Sequence, residues 1–418
     1  MRRTNTFRLV PAKEQKQRLF SLADNCSKMY NEINHKRRQS FFSGRFDWNT
    51  DEQYHKYKGL VGSATAQQIT QKNNEAWKSY WALLKKWKKG KVEKKPKPPR
   101  YWKDRETGKR PLRILVRCDS YHLEEKALKL PFGLKTQWRG RNRWKGGKQG
   151  RLEITYDELS EKWYAYMPVE IKPPLHQQQQ QLKGKEKEAY VDLGVKVPIM
   201  ASIDWEVFGY RANPMLSDWW YWTHRIAEHQ SILKDVNNRS TSKLLKSYHR
   251  MRQRRFRNSV NVMVRDFVEK CWNRGVSEIV CGDLRDIRSS ANFSRRSNSM
   301  IHNFWSVGYI VRRIEEVAEE YGIKITRVDE KGTSSECPRC GSKRIVRSKR
   351  MFRCRDCGLE AHRDAVGCVN IGLAHQQKEK EKDAEAVNRA VTRPTLLTIT
   401  AEVYNSLPFK EGSMSVIR

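Results

Sequence analysis

The stretch Cys337–Gly358, "CPRCGSKRIVRSKRMFRCRDCG", contains two Cys-x-x-Cys pairs separated by a short basic segment. Four thiolates at this spacing close a tetrahedral site around Zn²⁺, and Gly341 and Gly358 permit the tight turn after each pair. An iron–sulfur cluster or a redox pair is the alternative. Four protein thiolates leave no open coordination position, so zinc here would hold structure rather than perform chemistry. The sequence therefore predicts a zinc ribbon over 333–360, and its expected ligands are Cys337, Cys340, Cys354 and Cys357.

The segment between the two cysteine pairs is strongly basic. Its cations are Lys343, Arg344, Arg347, Lys349, Arg350 and Arg353. Such side chains either contact phosphate or form an ordinary solvated face. On the first interpretation, the residues expected to contact nucleic acid are Arg344, Arg347 and Arg350.

On both sides of the ribbon, the sequence alternates between strand and helix patterns. In chain order, the predicted elements are three strands within 189–212, helical sequence over about 222–274, a buried strand at 277–284, a helix over 304–321, a strand at 323–329 and a helix from Arg363. This order is typical of a ribonuclease H-like α/β domain. We expect that domain to occupy 189–332 and 361–376, with the zinc ribbon inserted between the two parts.

Two acids stand where this order of elements would bring distant parts of the chain together. Asp192 ends the first strand in "VDLG", and Asp364 begins the last helix in "HRDAVGCVNI". Each has an ordinary explanation, since a strand-end Asp often forms a turn and an N-terminal Asp often caps a helix. If the strands pair as predicted, however, the carboxylates share one cleft, where divalent cations would relieve their repulsion. Acids gathered in this way suit two-metal hydrolysis of a phosphodiester.

The N-terminal part of the chain has a different pattern. Residues 1–12 and 106–175 contain short alternating strands between Gly, Asp and Ser clusters, which predict a small antiparallel barrel. Residues 13–105 contain helical stripes, one of them over Thr65–Lys88, and predict a helical lobe. A lysine-rich run from Lys85 interrupts the helical pattern. It predicts either a solvated linker or an arm that contacts phosphate.

Two further segments have the composition of linkers. Residues 176–188 include five consecutive glutamines and cannot pack a core, so we expect the main domain boundary there. Residues 377–418 are first charge-dense and then lose periodicity. They predict a flexible tail.

The composition points to a polyanionic partner. Lysine and arginine number 84 against 47 acidic residues, which gives a formal net charge of +37. So large an excess destabilises a fold by self-repulsion unless a polyanion relieves it. The basic segments are interleaved with 14 tryptophans and 16 tyrosines, which can stack on bases. This favours nucleic acid over an anionic membrane.

Nothing in the sequence predicts a membrane or secreted protein. The N-terminal segment lacks the apolar stretch of a signal peptide, and no run approaches the ~18 apolar residues of a membrane helix. The nine cysteines are therefore interpreted as a metal site plus free thiols rather than a disulfide framework. We expect a cytoplasmic protein that associates with the nucleoid.

Several of these motifs occur together in one known family. In their joint order, "VDLGVK", "GDL", "TSSECPRCG", "CRDCG" and "HRDAVGCVNI" resemble the TnpB family of transposon-encoded RNA-guided DNA endonucleases, which are related to the compact type V CRISPR effectors. They span most of 190–375, and "RLVPAKEQ" near the start is similar more weakly. The resemblance implies a RuvC-like nuclease domain with a wedge-like barrel and a helical recognition lobe. It also implies structural Zn²⁺, two catalytic Mg²⁺ ions, a guide RNA, and a DNA target in duplex and unwound form.

One position departs from the family pattern. The family commonly has a glutamate before the Asp-Leu of the middle strand, where this chain has Gly282. Some members and their eukaryotic relatives carry the glutamate instead in an E-x-x-T-S arrangement, which begins here at Glu330. Asp283 is the rival for this second position. The catalytic, Mg²⁺-binding residues that the resemblance implies are Asp192, Glu330 and Asp364.

Three functions fit these observations. In the leading hypothesis the protein is an RNA-guided DNA endonuclease, in which base pairing supplies sequence specificity and the protein reads a short flanking motif. By resemblance the reader lies in the N-terminal lobe, where one helix offers amides that either pair with base edges or form a solvated face. Those amides belong to Gln67, Gln71 and Asn74. The alternatives are a nuclease-inactive RNA-guided repressor, which Gly282 favours, and a guide-independent transposase. One copy or two could act on each target.

Overall fold

The computed structural model describes residues 1–103, 109–172, 187–237, 240–283, 294–329, 335–375 and 391–398. By its internal contacts the chain divides into two units, Met1–Lys172 and Pro173–Arg418. This division lies just before the linker expected at 176–188, most of which falls outside the described residues. Among the helices that are described, none is long and apolar enough to cross a membrane.

The first unit contains an antiparallel sheet. Its strands are β1 (Arg2–Val10), β2 (Arg113–Val116), β3 (His122–Leu123), β4 (Ala127–Leu130), β5 (Leu134–Gly140), β6 (Lys148–Gln149), β7 (Leu152–Asp157) and β8 (Lys162–Glu170). In the described part of this unit, the strand order is β2-β7-β8-β1-β5-β4-β3, and β6 pairs with β8. Alternate residues of β8 are buried, as a sheet with one covered face requires.

Three helices cover that face of the sheet. They are α1 (Lys13–Phe42), α2 (Asp51–Val61) and α3 (Ser63–Lys88). Helix α3 confirms the prediction over Thr65–Lys88. Phe7 of β1, Ile33 of α1 and Ile69 of α3 belong to one buried cluster. The segments expected to form a barrel and a separate helical lobe thus share a core, because the apolar face of the sheet and the apolar stripes of the helices cover each other.

The second unit is built on a mixed sheet. Its strands are β9 (Lys187–Asp192), β10 (Ile199–Ile203), β11 (Glu206–Arg211), β12 (Val276–Asp283), β13 (Lys324–Asp329) and β17 (Thr395–Thr398). Across the described residues, their order is β13-β12-β9-β10-β11-β17. Strands β9, β10 and β11 form an antiparallel meander, and β12 runs parallel to both β9 and β13.

The helices of this unit follow the predicted order with two differences. They are α4 (Asn213–Asn237), α5 (Lys243–Asn273), α6 (Arg295–Ser299), α7 (Val307–Tyr321) and α8 (Arg363–His375). The helical sequence expected over about 222–274 is divided between α4 and α5. The helix expected from residue 304 begins at Val307, because Met300–Phe304 forms a π-helical turn before it.

The sheet of the second unit is covered on both faces. On one face, Val191 and Ile279 pack with Phe267 of α5 and with α7 in a large buried cluster. On the other face, Tyr190 and Val280 pack with Ile371 of α8. Successive residues of a strand point to opposite faces. The even-numbered residues at the end of β9 therefore face α8, and the odd-numbered ones face α5 and α7.

The cysteine insert is a three-stranded sheet. Its strands are β14 (Ile345–Ser348), β15 (Met351–Cys354) and β16 (Glu360–His362), in that spatial order. Strand β16 leads directly into α8.

The segment 377–418, expected to be a flexible tail, contains one element that the sequence did not predict. Strand β17 pairs in parallel with the edge strand β11, Thr395 lying opposite Phe208. Val391 is fully buried in the core between α8 and the ribbon. The prediction of a structureless tail was therefore wrong for 391–398, because these few apolar residues fill a sheet edge that only the folded structure provides.

Candidate metal centres and nucleic-acid surfaces

The four cysteines of the ribbon converge on one point. Their sulfur atoms all lie within 4.8 Å of one another. The sulfurs of Cys337 and Cys357 are 3.6 Å apart, as are those of Cys340 and Cys354. Tetrahedral zinc with Zn–S bonds of about 2.3 Å holds its sulfurs roughly 3.8 Å apart. The cluster therefore fits a structural zinc ion with little rearrangement.

The two halves of this cluster are built alike. Gly341 and Gly358 have φ angles of +72° and +70°, a left-handed conformation that a residue with a Cβ rarely adopts. Beside each turn a cysteine backbone N–H donates across it, from Cys337 to Ser342 O at 2.9 Å and from Cys354 to Leu359 O at 2.9 Å. Each Cys-x-x-Cys pair is thus held in position by backbone geometry.

The ribbon also supports the beginning of α8. Phe352, Cys354 and Leu359 are buried in one cluster with Val366 and Val369 of α8. Helix α8 starts at the residue after β16. The zinc cluster therefore helps to fix the place where the first turn of α8, and with it Asp364, meets the main sheet.

Asp192 and Asp364 lie where β9 meets α8. Asp192 is the last residue of β9, and Asp364 is in the first turn of α8 and only 7% exposed. The helix approaches the strand closely: a Cβ added to Gly367 would lie 2.8 Å from a carboxylate oxygen of Asp192, and one added to Gly372 would lie 2.7 Å from the ring of Tyr190. The sequence predicted that the two acids meet. It did not predict the two glycines that let the helix come so near.

The surroundings of Asp192 disfavour its negative charge. The pKa of its carboxyl group is raised to about 7, first by burial and then by the negative charge of Asp364, while the cations Arg363 and Arg350 lower it. Neighbouring carboxylates away from bulk water repel each other, and a divalent cation between them would reverse the effect. The chemistry of this pair fits a Mg²⁺ site.

An arginine already contacts the acidic pair. Arg350, at the turn between β14 and β15, donates a hydrogen bond to a carboxylate oxygen of Asp364. Its backbone carbonyl accepts a hydrogen bond from the N–H of Arg363 at 2.9 Å, which holds the turn against the start of α8. Its guanidinium partly neutralises the site. The other two ribbon arginines expected to contact nucleic acid behave differently: Arg344 pairs with Asp356 at 2.8 Å, and Arg347 is exposed on β14.

Gly282 and Asp283, at the end of β12, face opposite sides of the sheet. Val280 of β12 packs on the α8 face of the sheet, whereas Cys281 packs in the core on the opposite face. Gly282 consequently faces α8, the same side as Asp192, and Asp283 faces away. The position where the family commonly has glutamate is thus on the acidic face but has no side chain.

The predicted second acid, Glu330, lies outside the described residues. The last residue before it whose surroundings are described is Val328 of β13, which packs on the α8 face with Tyr190. Strand β13 is adjacent to β12, which is adjacent to β9. Strand β13 therefore ends, at Asp329, on the same side of the sheet as the end of β9 at Asp192.

The amide stripe of the N-terminal unit lines a groove between α2 and α3. The groove has a volume of about 640 Å³, and its lining residues are Thr50, Asp51, Tyr54, Gln67, Thr70, Gln71, Asn74, Glu75 and Lys78. Gln67 is engaged, since its side-chain oxygen accepts a hydrogen bond from Arg117 at 3.0 Å. The side-chain oxygens of Thr70 and Asn74 are buried and have no hydrogen-bond partner among the described residues. The groove thus keeps unmet hydrogen-bonding capacity.

Comparison with known proteins identifies matching family models and relatives similar in sequence. A family model described as "Cas12f1-like, TNB domain" matches residues 308–371, and one described as "Probable transposase" matches residues 166–288. The TnpB-like protein ORF457 of Acidianus two-tailed virus is 33% identical over 406 residues, which covers 88% of this chain and 86% of that protein. The CRISPR-associated endodeoxyribonuclease Cas12f1 of Sulfoacidibacillus thermotolerans is 24% identical over 251 residues, or 54% of this chain and 53% of that protein.

A solved structure shares the fold. It is Cas12f1 determined by cryo-electron microscopy in a complex with sgRNA and target DNA. The TM-score is 0.52 at 14% sequence identity, and the match covers 86% of this chain and 83% of that chain. At this level of identity the likeness is one of fold alone.

Proposed function

Because this chain belongs to the TnpB-like family, we propose that it is an RNA-guided DNA endonuclease. A relative is named an endodeoxyribonuclease, and the chain of similar fold was solved with a guide RNA and target DNA. The observation that carries this function is the convergence of Asp192 and Asp364 at the junction of β9 and α8. Two acids held there, in a protein of net charge +37, suit hydrolysis of a polyanion.

We assign the second unit to the ribonuclease H-like, RuvC-like class. An antiparallel meander followed by β12 and β13, parallel to its first strand and joined by α7, supports this assignment. We assign the strands of the first unit to a wedge-like barrel, supported by antiparallel pairing throughout the described part of its sheet. In this scheme α1, α2 and α3 form the recognition lobe.

The proposed catalytic residues are Asp192, Glu330 and Asp364. Val328, the last residue of β13 whose surroundings are described, packs on the α8 face, the face on which Asp192 lies. Gly282, on the strand between β13 and β9, presents no side chain that would obstruct a glutamate reaching toward Asp192. Asp283 is the weaker choice because it faces the opposite side of the sheet.

Two bound Mg²⁺ ions would supply a hydroxide nucleophile from water and stabilise the leaving oxygen of a phosphodiester. Asp192 and Asp364 would bind and position the ions, with β9 and α8 holding the two carboxylates rigidly. Arg350 is placed to orient the scissile phosphate, since a guanidinium forms strong paired hydrogen bonds to phosphate oxygens. The Zn²⁺ of the ribbon would take no part in the chemistry.

We propose guide RNA and target DNA as the partners, and the cytoplasm, next to the nucleoid, as the location. The α2–α3 groove is the proposed reader of the flanking motif. Asn74, whose side-chain oxygen has no partner among the described residues, is better suited to contact base edges than Gln67 or Gln71. The oxygen of Gln67 accepts a hydrogen bond from Arg117, and that of Gln71 accepts one from Gln68 at 3.4 Å.

Gly282 favours a second function, a nuclease-inactive RNA-guided DNA binder. The two functions differ in one measurement, Mg²⁺-dependent cleavage of plasmid by the ribonucleoprotein as it purifies. Cleavage that is lost after RNase treatment supports the guided nuclease. Cleavage that survives RNase supports a guide-independent enzyme, and absence of cleavage in every preparation supports the repressor.

Two single variants test the choice of the second acid. Glu330→Ala should abolish plasmid cleavage, whereas Asp283→Ala should leave it within about threefold of the parent, as expected for an acid outside the site. Loss of cleavage in Asp283→Ala alone would overturn the assignment.

A relocation variant sharpens the test. The double variant Gly282→Glu, Glu330→Ala returns a carboxylate to the same face of the sheet from the neighbouring strand. It should recover part of the activity that Glu330→Ala loses. The matched control lengthens the acid that is already on the opposite face, in the double variant Asp283→Glu, Glu330→Ala, which should stay inactive.

A further inference from the structure

The end of α1 and the segment after the lysine-rich run expose aromatic rings that the proposed function leaves without a role. Phe42 is 67% exposed, Trp48 is 44% exposed and Tyr101 is 39% exposed. Large rings are normally covered, so a group of exposed ones in a well-packed unit usually marks a binding surface.

Phe42 and Trp48 adjoin an aromatic base, in which Trp77 is buried and Phe41 and Phe46 are half-buried. Phe41, next to Phe42, lies 5.5 Å from Trp77 of α3, measured between ring centroids. Phe46, next to the loop that leads to Trp48, lies 4.7 Å from the same ring. Trp77 itself is fully buried. The exposed rings are therefore attached to a rigid part of the unit.

Arg38 holds two of the exposed rings in place. Its guanidinium carbon lies 5.5 Å from the ring centroid of Phe42 and 5.6 Å from that of Tyr101, both within the range of cation–π contacts. The guanidinium also donates to the backbone oxygen of Pro99 at 2.9 Å. The Tyr101 hydroxyl lies 3.1 Å from Nδ1 of His35. Phe42 and Tyr101 are thus preorganised although they are exposed.

A lysine arm, Lys85–Lys97, runs from the end of α3 toward these rings. Its exposed lysines are Lys85, Lys86, Lys88, Lys89, Lys91, Lys94, Lys95 and Lys97. Glu93 is the single acidic residue of the arm, and none of these lysines forms an ion pair within the described residues. Just past its far end, Trp102 stacks on Tyr30 with ring centroids 4.0 Å apart. The arm is anchored at both ends. Lys95 lies 5.4 Å from the ring centroid of Trp87, but no acidic side chain compensates the lysine charges within the described residues.

We propose that Phe42, Arg38 and Tyr101, together with the lysine arm, bind a single-stranded stretch of nucleic acid. Bases would stack on the rings while the lysines neutralise the phosphates. The site belongs to the first unit, the carboxylates belong to the second, and the binding proposed here does not depend on cleavage. It depends on the proposed function only in taking nucleic acid as the ligand.

Two features favour an unpaired strand over other occupants. Exposed rings stack on bases whose faces are free, and a duplex hides those faces. The uncompensated lysines favour a polyanion and disfavour a second copy of this chain, whose identical arm would carry the same charge.

The test uses the full chain with Asp192→Ala, purified free of nucleic acid. Fluorescence anisotropy would measure its affinity for oligo(dT) and oligo(rU) of about 20 nucleotides, longer than one such site. Phe42→Ala and Tyr101→Ala should each weaken binding about tenfold, the loss of one stacked base. Phe42→Trp should retain binding and shows that the surface tolerates substitution. Tyr166→Ala, which removes a ring 37% exposed on β8, is the matched control and should bind normally.

The lysine arm has a separate readout. The double variant Lys91→Gln, Lys94→Gln should reduce the slope of log affinity against log salt by roughly 0.7 for each lost phosphate contact on a single strand. The ring variants should leave this slope unchanged, because stacking releases no counterions. An unchanged slope in the lysine variant would show that the lysine arm makes no phosphate contacts and is not part of the site.

The two oligomers distinguish RNA from DNA as the single strand that this site binds. A loss for oligo(rU), for oligo(dT) or for both supports the site and indicates RNA, DNA or either as its ligand. An equal loss for a duplex of the same length overturns single-strand binding. The site is also overturned if Phe42→Ala binds both oligomers normally, or if it changes only the molecular mass by light scattering, which would indicate a contact between copies. Because the Asp192→Ala chain does not cut, none of these results depends on whether the parent protein is a nuclease.

Discussion

The two centres of the second unit are assembled in opposite ways. The cysteine cluster takes all of its ligands from one short segment, Cys337–Cys357, and would surround a zinc ion with four sulfurs. The carboxylate centre draws Asp192 from the end of β9 and Asp364 from the start of α8, which are far apart in the sequence. Two carboxylates would leave coordination positions on a metal ion for water and substrate, whereas four thiolates leave none. The zinc ligands can thus be supplied by one local segment, whereas the carboxylates meet only when the whole unit has folded.

The two centres also depend on each other unequally. The ribbon leads into α8 through β16, so the zinc cluster helps to place Asp364. Nothing in the cluster geometry requires Asp192 or Asp364. Loss of zinc should therefore damage the carboxylate centre, while loss of the carboxylates should leave the zinc cluster intact.

Zinc removal should have the largest effect. Structural zinc supplies folding free energy on the order of 10 kcal/mol in small zinc domains. Cys354→Ser should therefore lose the metal and the hydrogen-exchange protection of β14–β16, and cleavage should fall with it. Hydrogen exchange and elemental analysis are the measurements. Cys118→Ser, at an exposed cysteine of the first unit, is the matched control. Full cleavage by a zinc-free protein would show that the carboxylate centre does not depend on the zinc cluster.

Removal of either carboxylate should have the second-largest effect. Asp192→Asn and Asp364→Asn keep the side-chain shape, and each should reduce cleavage at least about 10³-fold, since bound metal ions supply several kcal/mol of transition-state stabilisation. Zinc content and the thermal unfolding midpoint should stay near those of the parent. Zinc loss from Asp192→Asn would show that the dependence runs in both directions.

The sequence predicted one centre more completely than the other for a physical reason. Cys-x-x-Cys spacing is a local property, so the zinc ligands needed no knowledge of the fold. The meeting of Asp192 with Asp364 required the correct strand order, and the alternation of strands and helices was strong enough to supply it. The ion pair of Arg350 with Asp364 depends on the direction of the turn between β14 and β15, which composition does not encode.

Other features were missed because they depend on long-range contacts. The apolar stripes of α1 and α3 predicted helices, but not that these helices share a core with the sheet of the same unit. Phe41 continues the buried stripe of α1, four residues after Arg37, but the contacts of Phe41 and Phe46 with Trp77 of α3 join separate elements. Helical periodicity therefore did not predict the aromatic base beside Phe42. Glu330, whose role is a proposal from the family pattern, lies outside the described residues.

Acidity should affect the carboxylate centre in a defined direction. The pKa of Asp192 is raised to about 7, first by burial and then by Asp364, so below that pH a metal ion must displace a proton. Apparent Mg²⁺ affinity should fall about tenfold per pH unit below 7 and level off above it. Competition with Mn²⁺, followed by electron paramagnetic resonance, measures this. Asp192→Asn should bind weakly at every pH, and a slope that persists in this variant would assign the proton to another group.

Substitution of Arg350 should have the smallest effect, and it should change Mg²⁺ binding and cleavage in opposite directions. Its cation competes with a metal ion for Asp364, and a partly exposed pair of this kind is worth up to about 1 kcal/mol. Arg350→Ala should therefore tighten Mg²⁺ binding about threefold. Cleavage should nevertheless fall, because the proposed phosphate contact is lost. Lys343→Ala removes an equal charge from the same ribbon and should change neither quantity. Weaker Mg²⁺ binding in Arg350→Ala would show that the arginine supports the metal site instead of competing with it.

Strand β17 sets the time at which the second unit can finish folding on the ribosome. Thr395 of β17 pairs with Phe208 of β11, and the two residues are far apart in the sequence. Strand β11 is therefore synthesised first, and its outer backbone groups stay unpaired until β17 has been made. A growing chain that stalls in this interval offers a ready template to any neighbouring extended peptide. Fast synthesis of the segment between β11 and β17 would shorten that exposure, and synonymous codons that slow its translation should increase co-translational aggregation.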